Sequence, residues 1–169
     1  LEVVSAARDL NSVAYSGSGV KLVKGGSPVT LTLVAKDQYG DTWNTTNIAT
    51  EVDVTEAVAN GQPITTGTTV AAVAGDEDEG KLTVEITPHA TNIGSGTLVL
   101  TYGSKTLARI PVSVASTTSA PTYVLEASKS KIDLNPASGD DTITFTLKEY
   151  LSGYYHQDVD LQAEGYTVQ

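Results

Sequence analysis

The chain has 169 residues, with 10 Lys and Arg against 20 Asp and Glu and a formal net charge of -10. A surface this acidic repels phosphate backbones and anionic headgroups, which argues against nucleic-acid binding and electrostatic attachment to a membrane, and no apolar run approaches the roughly 20 residues of a spanning helix. With no Cys and no Met, the chain has no disulfide and no thiolate chemistry, so packing and backbone ladders must hold the fold.

A chain that begins at Leu1 without a signal peptide is expected to be a piece of a longer product. Its 24 Thr and 19 Val are β-branched and favour pleated, half-buried positions. Residues 1–10 read as a lead-in. After a short strand around Val20, Lys21 and Leu22 comes the Gly25-Gly26 turn. Then Val29, Leu31, Leu33 and Ala35 alternate with Thr30, Thr32, Val34 and Lys36, a period of two that one helical stripe cannot produce. A turn at Tyr39-Gly40-Asp41 follows.

Residues 46–59 carry loosely spaced Ile48, Val52 and Val58 among β-branched neighbours, so strand and loop are expected there rather than helix. Asn60-Gly61, Gly94 to Gly96 and Gly103-Ser104 mark turns around the strands KLTVEIT (81–87), TLVLTY (97–102) and LARIPVSVA (107–115). Pro111 cannot donate to a ladder and is expected at an edge or a bulge. Residues 117–122 form a polar, Pro-containing linker, and after a turn at Ser138-Gly139-Asp140 the run TITFTLK (142–148) is again a strand. Strands at this spacing predict an all-β antiparallel sandwich.

Sliding the chain on itself by 112 positions lays VTLTLVAKDQYGDTW (29–43) over DTITFTLKEYLSGYY (141–155) without a gap. Leu31 falls on Ile143, Leu33 on Phe145, Ala35 on Leu147, Lys36 on Lys148 and Trp43 on Tyr155. A period of this size suits an immunoglobulin-like domain of roughly 100 residues. The expected organisation is a lead-in at 1–10, one complete copy at 11–116, a linker at 117–122 and the first half of a second copy at 123–169. Such a half would present an open edge and an uncovered apolar face, so it should be poorly ordered, lean on the first domain or pair with another molecule.

The stretch VKLVKGGSPVTLTLVAKDQYGDTW, and within it Asp37-Gln38-Tyr39-Gly40, resembles the front half of bacterial immunoglobulin-like (Big) domains, especially those of Gram-positive surface-layer (S-layer) proteins. The later strands Thr97 to Tyr102 and Val112 to Val114 agree with it. In the second copy Glu149-Tyr150-Leu151-Ser152 replaces the tetrapeptide. The resemblance implies a non-catalytic structural module at the bacterial cell surface, self-assembling with copies of itself and with neighbouring domains of the same chain. The alternative is a spacer or glycan-binding module of an extracellular adhesin or hydrolase, with cell-wall glycan as partner.

No catalytic constellation can be read. His89 and His156 lie on opposite sides of the linker without a Ser nucleophile at motif spacing, and there is no nucleophile elbow. Asp76, Glu77, Asp78 and Glu79, bounded by glycines, are the candidate metal ligands, since a hard cation such as calcium relieves repulsion among carboxylates. They lack the spacing of a calcium loop, and an exposed connection between strands is the preferred reading; a structural calcium ion is the only cofactor left open. Tyr150, Tyr154 and Tyr155 with His156 are candidate interaction residues, as a domain or lattice interface ahead of a sugar-stacking platform. Trp43 is expected in the core, and the glycosylation pattern Asn44-Thr45-Thr46 is taken as accidental.

Overall fold

A computed structural model describes residues 7–117, 119–128 and 143–160. In chain order the elements are β1 (Leu10–Ala14), β2 (Val20–Val23), β3 (Val29–Asp37), a one-turn helix α1 (Ile48–Glu51), β4 (Asp53–Thr55), β5 (Val58–Ala59), β6 (Gln62–Pro63) and β7 (Thr69–Ala72). They continue with β8 (Lys81–Ile86), β9 (Gly94–Tyr102), β10 (Lys105–Ala115), β11 (Pro121–Ala127), β12 (Phe145–Leu151) and β13 (Tyr154–Asp158). One sheet has the order β1-β3-β8-β7, and the facing sheet has the order β11-β12-β13-β2-β10-β9-β4. The fold is an immunoglobulin-like β-sandwich, and among the described residues only α1 and one 3-10 turn (Glu77–Glu79) are helical.

The period-two pattern decides which side chains meet. Leu33 and Ala35 of β3 are buried with Leu82, Val84 and Ile86 of β8, and opposite them lie Leu98 and Leu100 of β9, Ile110, Val112 and Val114 of β10, and Leu22 of β2. Thr30, Thr32 and Lys36 on the other face of β3 are exposed. Each fully buried leucine or isoleucine stabilises by about 1.5–3 kcal/mol relative to leaving it in water.

Residues 46–59, expected as strand and loop, do contain β4 and β5, but Ile48–Glu51 forms a helical turn. Four residues carry no helical period. Packing selects the turn, because it drives Ile48 fully into the core. Pro111, expected at an edge or bulge, lies within the interior strand β10. It pairs with Thr97 of β9, whereas pairing with β2 begins only at Val112. At that position β10 has a neighbour on one side only, so the missing N–H costs no ladder bond there, and the strand's bulge lies elsewhere, between Thr106 and Ala108.

Strand pairing carries the repeat. In the first copy β1 opposes β3 through Ser12 and Lys36, Val13 and Ala35, and Ala14 and Val34. Shifted by 112 these become Val124 and Lys148, Leu125 and Leu147, and Glu126 and Thr146, and all three are observed pairs of β11 with β12. The surroundings differ. Val13 is 4% exposed and Leu33 7%, whereas their counterparts Leu125 and Phe145 are 60% and 58% exposed.

The copies part company after the paired strands. In the first, a bridge between Lys36 and Thr42 encloses residues 37–41, and Trp43 N–H donates to Ala35 O at 3.0 Å. In the second, Lys148 opposes Asp158 and encloses residues 149–157, while Val159 N–H donates to Leu147 O at 2.8 Å. The second hairpin is therefore four residues longer, and Val159, not Tyr155, takes the place of Trp43. The gapless alignment of Trp43 on Tyr155 is corrected by the register. The longer hairpin turns through Ser152 and Gly153, at φ 53° and 79°, the two left-handed residues of a two-residue turn. Its far strand, β13, runs parallel to β2 and pairs with it through Tyr155 and Leu22.

Candidate functional site

Most of the candidate residues fall into three clusters. The first is the Asp-Gln-Tyr-Gly turn. Asp37 Oδ1 accepts the N–H groups of Tyr39 and Asp41, both at 2.9 Å, and Gly40 supplies the left-handed residue at φ 88°. The free oxygen Oδ2 receives Arg8 Nε at 2.6 Å, and Arg8 also donates to Thr42 O at 2.5 Å. Gln38 holds the same lead-in from its other side, donating to Ala7 O at 2.8 Å and accepting from Asp9 N–H at 2.7 Å. Burial works against the charge on Asp37, but Arg8 and the two backbone donors outweigh it and hold the carboxyl below its usual range. The motif is thus a clamp on the incoming chain. Its sequence announced the turn but not Arg8, 29 positions away.

The second cluster is the acidic run. Glu77–Glu79 is the 3-10 turn, closed by Gly80 in the left-handed region. Asp76 and Glu79 both bind Lys81 Nζ, at 2.9 and 2.7 Å, while Asp78 accepts from Asn44 Nδ2 at 2.6 Å. The bonds to Glu79 and Asp76 raise the Lys81 ammonium to a pKa of about 12. Three of the four carboxylates are thus engaged, two by a lysine and one by an amide. Among the described residues no three His, Cys, Asp or Glu side chains form a group that could hold a metal ion. Asn44 of the glycosylation pattern also accepts from Thr46 N–H at 3.0 Å, which makes it a turn-former tied to Asp78.

The third cluster is the tyrosine hairpin. Tyr155 is 6% exposed and belongs to the core of the sandwich, and Tyr150 packs against that core with its ring edge-on to Tyr155, centroids 5.8 Å apart at 69°. Lys21 Nζ sits 5.9 Å from the Tyr154 ring centre. Burial and the bond from Tyr155 Oη to Asp158 Oδ1 at 2.9 Å push the Tyr155 hydroxyl well above its usual pKa. His156 Nδ1 lies 2.7 Å from Glu149 Oε1, and its carbonyl accepts Ser27 N–H at 2.7 Å. A Cβ on Gly26 would stand 2.6 Å from that carbonyl, so the close approach requires glycine. The Gly25-Gly26 signal read only as a turn in the sequence. Beside the hairpin a cleft of about 440 Å³ is lined by Tyr15, Lys21, Leu31, Tyr150 and Tyr155 among others.

The remaining candidates have structural partners. Trp43 is half-buried against the core and donates through Nε1 to Glu51 at 3.2 Å. His89 Nδ1 accepts the N–H groups of Thr91 and Asn92, each at 3.2 Å, and its carbonyl accepts Gly25 N–H at 3.1 Å in the same turn that binds the His156 carbonyl. A polar group that the sequence did not flag is Glu56, whose carboxylate is engaged by Thr65 and Thr68 and anchors the segment between β6 and β7. Bonds between positions 9 and 12 apart have no local sequence signature.

Two facing sheets, clamped at the Asp-Gln-Tyr-Gly turn and extended by a β11–β12 ladder that repeats the β1–β3 register, define an immunoglobulin-like β-sandwich. Comparison with known proteins agrees. Domains 4–9 of the surface-layer protein SbsC are similar to this chain with a TM-score of 0.55 and 25% identity, covering 92% of this chain and 22% of that one. Domains 5–6 of SbsC share the fold with a TM-score of 0.53 and 22% identity, covering 90% and 68%. The chain therefore spans about a fifth of the length of the first of these structures. No protein-family model and no curated protein sequence matches it.

Proposed function

We propose that this chain is a structural, non-catalytic module of a bacterial surface-layer protein, working outside the cell by association with copies of itself and with neighbouring domains. The observation that carries this reading is the similarity to SbsC domains over nearly the whole chain. The shared register of β1 with β3 and β11 with β12 supports tandem immunoglobulin-like domains, divided at the linker 117–122. None of the described helices is long and apolar enough to cross a membrane. A net charge of -10 in a packed array calls for cations between subunits. Calcium is the proposed one, and calcium titration followed by heat and melting temperature tests it.

The tyrosine-lined cleft favours a second reading, a glycan-binding module of an adhesin or hydrolase. Titration with cell-wall polysaccharide while following tyrosine and Trp43 fluorescence separates the two. The structural reading expects no change. A saturable change abolished by Tyr150→Ala would transfer the proposal to glycan binding.

A further inference from the structure

We infer that residues 148–158 form an orientation clamp: a hairpin that reaches back across the linker and fixes the segment beyond it on the first sandwich, with β2 and the Gly25–Ser27 turn as its receptor. This goes beyond the proposed function and holds whether or not the whole protein forms a lattice.

Four observations converge. The hairpin is longer than its first-copy counterpart by four residues, and the longer hairpin carries Tyr154, Tyr155 and His156 back onto the first sandwich. Among the described residues, β2 has β10 on one side and only β13 on the other, so the hairpin covers an edge that would otherwise stand open. Receptor and hairpin fit at backbone level, through the Tyr155 and Leu22 pair and the Ser27 bond to His156 O over the bare Cα of Gly26. The hairpin is also stiffened internally by Glu149 with His156 and by Tyr155 with Asp158. A single short polar linker is one tether and permits rotation. Docking of the hairpin adds a second, and two tethers set an angle.

The chain has no cysteine, so Thr106→Cys on β10 and Ser128→Cys beyond β11 can carry the only two spin labels. Pulsed electron resonance should give one narrow distance in the parent chain. Tyr155→Ser, which empties the hairpin's anchor, and Gly26→Val, which blocks the receptor, should each broaden that distribution at least about twofold by leaving a single flexible tether. Trp43 follows β3, at the opposite end from the Gly25–Ser27 turn, and its emission should stay unchanged in both variants. A distribution already broad in the parent chain, or one equally narrow in either variant, overturns the clamp. Broadening accompanied by a shift of Trp43 emission also overturns it, since Tyr155 is then an ordinary core residue of one cooperative unit.

Discussion

Arg8 Nε lies 2.6 Å from Asp37 Oδ2, and the two ends of this pair differ sharply in environment: the Arg8 side chain is 54% exposed and the Asp37 side chain is wholly buried. The carboxylate is the structural partner and the guanidinium its cover. Because the folded-state carboxyl titrates below its unfolded value, the pair's contribution is complete above the unfolded pKa near 4 and is lost as the pH falls through the folded one. Urea titrations between pH 3 and 6 should show stability falling on acidification. Asp37→Asn should be less stable than the parent at pH 6, and the gap should close toward pH 3. A gap independent of pH would show that the turn, and not the ionised pair, is what the aspartate supplies.

Leu33 and Phe145 occupy equivalent positions 112 residues apart, but one is covered by the facing sheet and the other is not. Leu33→Ala should lower the unfolding free energy by about 2–5 kcal/mol. Phe145→Ala should stay within about 0.5 kcal/mol of the parent. Chemical denaturation followed by Trp43 emission measures both, and equal losses would mean that the face carrying Phe145 is covered in solution.

Lys81 sits between Asp76 and Glu79, and its removal leaves the acidic turn to repel itself. Lys81→Met should lower the melting temperature at low ionic strength, with the loss shrinking as salt screens the carboxylates. A loss that does not respond to salt would assign the role of Lys81 to packing of its stem.

Tyr155 ionises above the ordinary tyrosine range because its ring is buried and its hydroxyl faces Asp158. The unfolded chain then releases this proton first as the pH rises through about 10, so the folded state loses stability on the alkaline side. Tyr155→Phe should cost about 0.5–1.5 kcal/mol at pH 7 through the lost hydrogen bond, and should flatten the decline above pH 10. Unchanged alkaline dependence would mean that another group controls it.

Alternation made β3, β8 and β10 legible in the sequence, because burial on one face writes a period of two into the residues, as Leu33 and Ala35 beside Thr32 and Lys36 show. Asn60-Gly61 announced its hairpin for an equally local reason, both residues being left-handed at φ 52° and 75°. What stayed hidden depends on partners distant in sequence. Ile48–Glu51 coils because Ile48 finds the core. Trp43 lines up with Tyr155 by eye, yet the ladder gives its place to Val159, since a four-residue extension on one side of a turn is visible only when the strands pair. The acidic run drew attention as a cation site, and the structure shows Lys81, two residues beyond Glu79, already between two of its carboxylates.

Self-association of a structural module is tested most directly by electron microscopy of the purified whole protein that carries this chain. Ordered sheets with a two-dimensional repeat are the predicted result. Dispersed particles at every protein and calcium concentration, together with saturable binding of cell-wall polysaccharide, would contradict it.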